Sequence, residues 1–244
     1  MQKEPDRRRD RPVLVVRERV RWPYVAFADR TDAGRQLAAF MGLEPDPEAL
    51  VLGLPRGGIP VGAQLAKRFQ APLEPVIARK LPVPSSPEMG FGAVAIDGSR
   101  VLNRPLVAHL GLTDREIEEI SERVRAEIVR RAIEYFSEAR PPQVAERRIY
   151  MVDDGLATGY SMVAAAEMVR RGGPEAVVLA VPVAPESTLR IVEDYFDEIH
   201  CLIVQQGGPF GVASYYEDFH DMTDEEVRGV LSEMKTRRIH DKGS

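Results

Sequence analysis

Residues 147–161, RRIYMVDDGLATGYS, constrain the fold of this chain more than any other stretch. An apolar run ends there in two adjacent carboxylates, Asp153 and Asp154, and a loop of small and hydroxyl residues follows. Since apolar residues then recur at helical spacing, the stretch predicts a strand, a loop and a helix. At the carboxyl end of a parallel strand, the N–H groups of such a loop and of the helix start favour a bound phosphate.

Asp153 and Asp154 need a different partner, because carboxylates repel a phosphate. Sugar hydroxyls donate hydrogen bonds to carboxylates, and a divalent cation beside the phosphate would also be attracted to the pair. The stretch as a whole therefore predicts a site for a phosphorylated sugar. The alternative interpretation is an ordinary turn between a strand and a helix, with a solvated carboxylate pair.

A second loop repeats this pattern. Residues 51–54 predict a short apolar strand, and apolar residues at helical spacing follow the loop Pro55, Arg56, Gly57 and Gly58. The two glycines allow the backbone to approach a ligand closely, and Arg56 can donate a pair of hydrogen bonds to a phosphate. A generic turn explains this loop equally well when it is considered alone, but the phosphate-type loop elsewhere in the chain favours a second anion site.

The string VDDGLATGYS at residues 152–161 resembles the phosphoribosyl-pyrophosphate (PRPP) motif of type I phosphoribosyltransferases. The resemblance implies that Asp153 and Asp154 contact the ribose hydroxyls. It also implies that the 5′-phosphate is held by Gly155, Leu156, Ala157, Thr158, Gly159, Tyr160 and Ser161. Arg-Gly-Gly is similar to the pyrophosphate loop of bacterial xanthine enzymes, which implies pyrophosphate binding by Pro55, Arg56, Gly57 and Gly58. Residues 27–41, FADRTDAGRQLAAFM, resemble the opening of a largely uncharacterised bacterial group of predicted phosphoribosyltransferases.

For the activity, the resemblance implies that an acceptor nitrogen, in a nucleobase, displaces pyrophosphate from C1 of PRPP with the help of Mg²⁺. Asp153 and Asp154 would meet the metal only through ribose or water. Positive charge against the leaving group would come from Arg56, Arg79 and Lys80. Purine enzymes of the family place an aspartate where this chain has Ala157, and the loop here is more similar to that of uracil-type enzymes. The alternative is a regulator of the same fold that senses PRPP or a nucleotide without catalysis.

Further segments complete the predicted site. Residues 75–78 predict a strand that ends at Arg79 and Lys80, and the Pro-, Ser- and Gly-rich residues 81–92 predict a mobile lid. A hairpin is expected within residues 92–102. The family carries a small hood over the acceptor, and the aromatic side chains proposed to stack on it are Phe210, Tyr215 and Tyr216. Packing against the closing helix explains each of these aromatic residues equally well.

Alternation of strands and helices predicts an α/β fold with a doubly wound, mainly parallel sheet. The resemblance adds a small hood from parts of residues 13–28 and 205–222. A capping box at residues 113–116 predicts an inserted long helix, whose charged face is either solvated or the surface of a homodimer. The tails, residues 1–12 and 236–244, are expected to be disordered, which leaves one domain over residues 13–235.

Near the start of the chain, residues 13–16 and 20–27 predict two short strands. The helix that follows is expected to have Thr31 or Asp32 as its N-cap and to end at Gly42.

Composition excludes several classes of protein. The formal net charge of −5 offers no basic field to nucleic acid. Cys201 is the only cysteine, which excludes a disulfide framework and a cysteine-ligated zinc site. No apolar run approaches the roughly 18 residues of a spanning helix, and the N-terminus lacks the apolar core of a signal peptide. We therefore expect a cytoplasmic protein whose partners are PRPP and a small-molecule acceptor, without nucleic acid or membrane.

Overall fold

A computed structural model of the protein describes residues 11–42, 44–136 and 140–241. Its strands, in chain order, are β1 (Val13–Val20), β2 (Leu50–Gly53), β3 (Leu73–Pro75), β4 (Ala78–Val83), β5 (Ser86–Ala95), β6 (Arg100–Leu102), β7 (Arg148–Val152), β8 (Ala176–Pro185) and β9 (Glu198–Gln205). Its α-helices are α1 (Arg30–Met41), α2 (Gly58–Phe69), α3 (Arg104–Leu110), α4 (Asp114–Phe136), α5 (Tyr160–Arg171), α6 (Glu186–Val192) and α7 (Asp224–Asp241). No helix among these residues is both long enough and apolar enough to cross a membrane.

The central sheet has six parallel strands in the order β1-β9-β8-β7-β2-β3. Both of its faces are covered, as β7 illustrates. Ile149 and Met151 lie in one apolar core, whereas Tyr150 and Val152 lie in the other. Successive side chains of a strand point to opposite faces, so a strand buried on both sides reads as a continuous apolar run. The predicted doubly wound parallel sheet is confirmed.

A second sheet is antiparallel, in the order β4-β5-β6. It contains residues 81–83 and 86–92 of the segment that was predicted to be a mobile lid, so this segment is mostly strand; its motion stays a prediction. Leu81, Val83 and Phe91 are buried in the core that also contains residues of α4 and α5, which explains why this segment forms strands. Pro82 is accommodated where the register of β4 and β5 shifts. The hairpin expected within residues 92–102 is confirmed by the pairing of β5 with β6.

The N-terminal segment differs from its prediction. In place of two short strands there is one, β1, which pairs in parallel with β9 at the edge of the central sheet. An edge strand tolerates the charged residues 17–19 that divided the two predicted strands. Phe27 forms only an isolated bridge with Tyr216, so residues 21–28 meet residues 205–222 there. The assignment of a hood to these two segments stays a prediction.

Two predictions about helix ends are corrected. The N-cap of α1 is Asp29 and not Thr31 or Asp32, since the Asp29 carboxylate accepts a hydrogen bond from Asp32 N at 2.6 Å. Gly42 ends the helix at φ 61° as predicted. The capping box before α4 is confirmed, because Thr113 N donates to Glu116 Oε2 at 2.8 Å.

The second correction concerns the C-terminal tail. Helix α7 continues to Asp241, so residues 236–241 of the predicted disordered tail are helical. The segment contains good helix formers and no glycine or proline before residue 243. Residues 242–244 lie outside the described residues, as do residues 1–10 of the other predicted tail.

Helix α3 was not predicted. Its signals are present in the sequence, since Asn103 caps it through Leu106 N at 3.1 Å, Pro105 lies in its first turn and Gly111 follows its end.

Candidate functional site

The two loops singled out in the sequence start side by side. Strands β2 and β7 are neighbours, with Gly53 opposite Val152. Just beyond them, Leu54 N donates to Val152 O at 2.8 Å. The loops at residues 54–57 and 153–159 therefore leave the same edge of the sheet, the carboxyl edge, where open α/β folds bind their ligands.

Glycines allow these loops to touch. A Cβ atom on Gly57 would lie 1.8 Å from Asp154 Oδ2, and one on Gly58 would lie 2.5 Å from Val152 O. Gly57 has an ordinary φ of −65°, so it is required by this contact and not by its backbone conformation. Helix α2 begins at Gly58, which places its positive N-terminal end at the same point. The peptide bond between Pro55 and Arg56 is cis.

Asp153 and Asp154 form a half-buried acidic pair. Asp154 Oδ2 accepts a hydrogen bond from Arg30 Nε at 2.7 Å, and Asp153 Oδ1 accepts one from Asp154 N at 2.9 Å. Burial raises the pKa of Asp153 well above its usual range, and the negative charge of Asp154 adds to the effect. Burial also raises the pKa of Asp154, although Arg30 opposes it. The pair thus carries more negative charge than its surroundings neutralise.

Arg30, the first residue of α1, was missed by the sequence analysis. Its side chain is 8% exposed, Nη1 donates to His220 O at 2.9 Å, and the guanidinium lies 3.9 Å from the centre of the Phe219 ring. Asp154 lies 124 residues away along the chain. No local spacing joins Arg30 to Asp154, so only the resemblance of residues 27–41 pointed to this region.

Hydrogen bonds fix the loop of residues 155–161 to the rest of the fold, while Ala157 and Thr158 are exposed. Leu156 N donates to Val183 O at 3.0 Å, and Thr188 Oγ1 donates to Ala157 O at 2.6 Å. Gly159 has φ 77°, and a Cβ there would lie 2.8 Å from Val192 Cγ1, so this position requires glycine. Gly159 is the N-cap of α5 and has no side chain to bond the free N–H groups of the first turn. Those N–H groups can receive an anion.

The predicted cations are divided between two places. Arg56 is in the loop after β2, and its Nη1 lies 3.7 Å from Asp224 Oδ1 at the start of α7. Arg79 lies within β4 and pairs with Glu127 of α4 at 2.8 Å, and Lys80 follows it in the same strand. The expectation that Arg79 and Lys80 end a parallel strand is wrong, because the parallel strand β3 already ends at Pro75.

The predicted aromatic acceptor residues are mostly packed. Tyr215 is 0% exposed and its hydroxyl donates to Gln205 Oε1 at 2.6 Å, while burial raises its pKa to about 12. Tyr216 is 4% exposed, and its hydroxyl donates to Asp154 O at 2.6 Å. Neither ring has a free face for a base, which corrects the prediction for these two tyrosines. Phe210 is only partly buried, with its ring centre 6.0 Å from that of Tyr215.

Known proteins similar to this chain include named phosphoribosyl transferases. The family model of the phosphoribosyl transferase domain matches residues 29–217. Two proteins from Mycobacterium tuberculosis, of strains CDC 1551 and H37Rv and each named "Putative phosphoribosyl transferase", are 41% identical to this chain over 206 residues. The match covers 84% of this chain and 46% of each relative, so the chain spans about half the length of these curated relatives. The crystal structure of TT1426 from Thermus thermophilus is 35% identical, with a TM-score of 0.68, over 86% of this chain and 99% of that one.

Proposed function

Because this chain belongs to the phosphoribosyl transferase family, we propose that it transfers the phosphoribosyl group of PRPP to a nitrogenous acceptor, a nucleobase, and releases pyrophosphate. The observation that carries the proposal is the contact of the two loops at Gly57 and Asp154. It joins two sites suited to phosphates through an acidic pair suited to sugar hydroxyls. PRPP has the same order of groups, with a ribose between a phosphate and a pyrophosphate.

Each part of the site has a role in this proposal. The free N–H groups at the start of α5 bind the 5′-phosphate, and the hydrogen bond from Thr188 keeps the loop in place. Asp153 and Asp154 accept hydrogen bonds from the ribose hydroxyls, which stabilises carboxylates that are otherwise undercompensated. Arg56 and the N–H group of Gly57 bind the pyrophosphate, whereas Gly58 N already donates to Leu54 O at 2.9 Å.

Mg²⁺ fits this donor set as an ion held through substrate and water oxygens. Asp153 is a hard oxygen donor with excess negative charge beside it, which suits a divalent cation. Among the residues that the structure describes, no group of three or more His, Cys, Asp or Glu side chains is arranged to hold a metal. When bound, Mg²⁺ would neutralise charge that develops on the departing pyrophosphate.

Catalysis in this proposal rests on positioning and charge. As the bond from C1 to pyrophosphate breaks, positive charge develops on the ribose and negative charge on the leaving group. Fixed anchors at both phosphates hold C1 in line with the acceptor nitrogen. Arg56 stabilises the leaving group, and the negative charge of Asp153 favours the positive ribose.

Calorimetric titration with PRPP, with and without Mg²⁺, tests the site. We expect binding that depends on Mg²⁺ and that is lost in Asp153→Asn with Asp154→Asn. The second step measures release of pyrophosphate with a panel of purine and pyrimidine bases. Absence of PRPP binding under both conditions would refute the proposal. Binding without turnover across the panel would instead favour a PRPP sensor.

A further inference from the structure

Arg30 occupies an unusual position for a buried cation. It is the first residue of α1, directly after the N-cap Asp29. A positive charge is unfavourable at a helix N-terminus, because the helix dipole is positive there. The helix therefore does not explain why an arginine is buried at this position. A buried guanidinium must be compensated by its contacts, and those contacts lie outside α1.

The contacts of Arg30 join two separate segments. Its Nε donates to Asp154 Oδ2 at 2.7 Å, and its Nη1 donates to His220 O at 2.9 Å. The planar group also lies on the Phe219 ring, with 3.9 Å between Cζ and the ring centre. One rigid fork thus connects the acidic pair after β7 to residues 216–220, which follow the last strand of the sheet.

Tyr216 provides a second link between the same segments. Its hydroxyl donates to Asp154 O at 2.6 Å, so Asp154 is bonded to residues 216–220 through both its side chain and its main chain. The rings of Phe27 and Phe219 pack on Tyr216, with centres 5.1 and 4.9 Å away. Glu217 N also donates to Phe27 O at 2.9 Å, which ties residues 216–220 to the segment before α1.

We propose that Arg30 is a positioning residue for the transfer reaction, which locks the Asp154 carboxylate onto residues 216–220 and leaves Asp153 as the main acceptor for ribose hydroxyls. The inference rests on the proposed function. The two carboxylates then have different tasks, since Asp154 Oδ2 accepts from the charged guanidinium of Arg30, whereas Asp153 Oδ1 accepts only from the main-chain N–H of Asp154. Ordering of residues 216–220, part of the segment predicted to form the hood over the acceptor, is thereby coupled to the geometry of the ribose pair.

Three variants test the role of Arg30. Arg30→Gln removes the charge, and Arg30→Lys keeps the charge but cannot donate the two divergent hydrogen bonds of the fork. The matched control is Arg170→Gln, because Arg170 also joins a carboxylate to a carbonyl. Its Nη1 lies 2.8 Å from Asp197 Oδ2 and its Nε donates to Tyr195 O at 3.1 Å.

Hydrogen–deuterium exchange of the free protein is the first readout. We expect Arg30→Gln to accelerate exchange in residues 153–159 and 216–220 together, by roughly tenfold, because both segments lose one shared anchor. Arg30→Lys should accelerate mainly residues 216–220, since the carbonyl of His220 loses its donor. Arg170→Gln should change neither segment. Unchanged exchange in Arg30→Gln, or a change confined to residues 153–159, would overturn the inference.

Kinetics with PRPP and an accepted base are the second readout. We expect Arg30→Gln to raise the KM for PRPP by roughly tenfold or more, since a charge-assisted hydrogen bond is lost. Arg30→Lys should recover most of that KM but not the KM for the base. A lower melting temperature with both KM values unchanged, as expected for Arg170→Gln, would mean that Arg30 is only structural.

If the wild type does not bind PRPP, the proposed function fails, while hydrogen–deuterium exchange still decides whether Arg30 joins the two segments. Arg30→Lys carries the test if Arg30→Gln does not fold.

Discussion

Strand β7 has an arginine–carboxylate pair near each of its ends, and the two pairs differ in charge balance. At its first residue, Arg148 donates to Glu198 Oε1 at 2.5 Å, and His200 Nε2 lies 3.3 Å from the other oxygen. Burial there raises the pKa of Glu198, but the hydrogen bonds from Arg148 and His200 outweigh it, so the pKa is lowered. After β7, Arg30 meets Asp154, and burial prevails there, so the pKa of Asp154 is raised.

The difference arises first from burial, because the side chain of Asp154 is 13% exposed and that of Glu198 is 32% exposed. Glu198 has a guanidinium and an imidazole to itself, whereas Arg30 is the partner of an adjacent pair, Asp153 and Asp154. The group at the start of β7 therefore stabilises the fold. The group at the carboxyl end retains uncompensated negative charge, which a ligand with hydroxyls and a cation can neutralise. An uncompensated charge of this kind distinguishes a binding site from a structural ion pair.

Asp153→Asn with Asp154→Asn should have the largest effect. We expect PRPP affinity to fall by roughly a hundredfold or more, because two charge-assisted hydrogen bonds of about 1.5 kcal/mol each are lost. The melting temperature should fall only through Asp154→Asn, which leaves the buried Arg30 without its carboxylate partner. Asp153→Asn alone should not lower it, because the raised pKa of Asp153 means that its site favours a neutral side chain. Calorimetry and thermal unfolding measure the two effects. Undiminished PRPP affinity would show that the acidic pair after β7 does not bind the ligand. The two ends of β7 would then not differ in function.

Gly57→Ala should have the next largest effect. The new Cβ would lie 1.8 Å from Asp154 Oδ2, so either the Asp154 carboxylate moves from its place beside Arg30 or the two loops separate. We expect PRPP affinity to fall by roughly tenfold or more, since displacement of about 1 Å is costly at a preorganised site. Gly207→Ala is the control, because a Cβ there meets nothing within 4 Å. Equal PRPP affinities of the two variants would show that the loop contact is dispensable.

Both loops were predictable from sequence because their signals are local. A strand, a glycine or hydroxyl loop and a helix follow one another directly, within residues 50–69 and within residues 148–171. Arg30 was not predictable in this way, because its partners Asp154 and His220 are distant in sequence. Tyr216 was found as an aromatic, yet its burial depends on rings from residues far apart in the chain. The sequence therefore predicted where the two loops lie along the chain better than it predicted which side chains contact one another.

Arg79 and Lys80 show where the local pattern is ambiguous. The apolar residues 75–78 predict one strand, but they cross from β3 in one sheet to β4 in another. Between them, Val76 N donates to Gly53 O at 2.9 Å, and the chain then enters the antiparallel sheet. Both sheets bury apolar residues, so hydrophobicity alone does not mark the boundary.

Glu198→Gln tests the other end of β7. We expect the free energy of unfolding to fall by about 1 kcal/mol at pH 7, since the charge in a partly open network is removed, with PRPP affinity unchanged. Because the folded-state pKa of Glu198 is lowered, its contribution is present above the unfolded value, about 4.3, and is lost as pH falls through the folded pKa. Denaturation at pH 7 and in acid measures this. A loss of stability that is equal at both pH values would contradict the assignment to charge.

Arg56→Ala should have the smallest effect on stability, and it tests an ion pair that is more exposed than the two pairs near the ends of β7. Arg56 and Asp224 are 3.7 Å apart and open to solvent, so we expect stability to change by less than about 0.5 kcal/mol. A weakly held arginine can turn to a ligand at little cost. Affinity for pyrophosphate should therefore fall by roughly fivefold to tenfold, while affinity for ribose 5-phosphate stays the same. Asp224→Asn is the control and should leave both affinities unchanged or slightly raised. Equal losses for the two ligands in Arg56→Ala would mean that Arg56 supports the loop instead of contacting pyrophosphate.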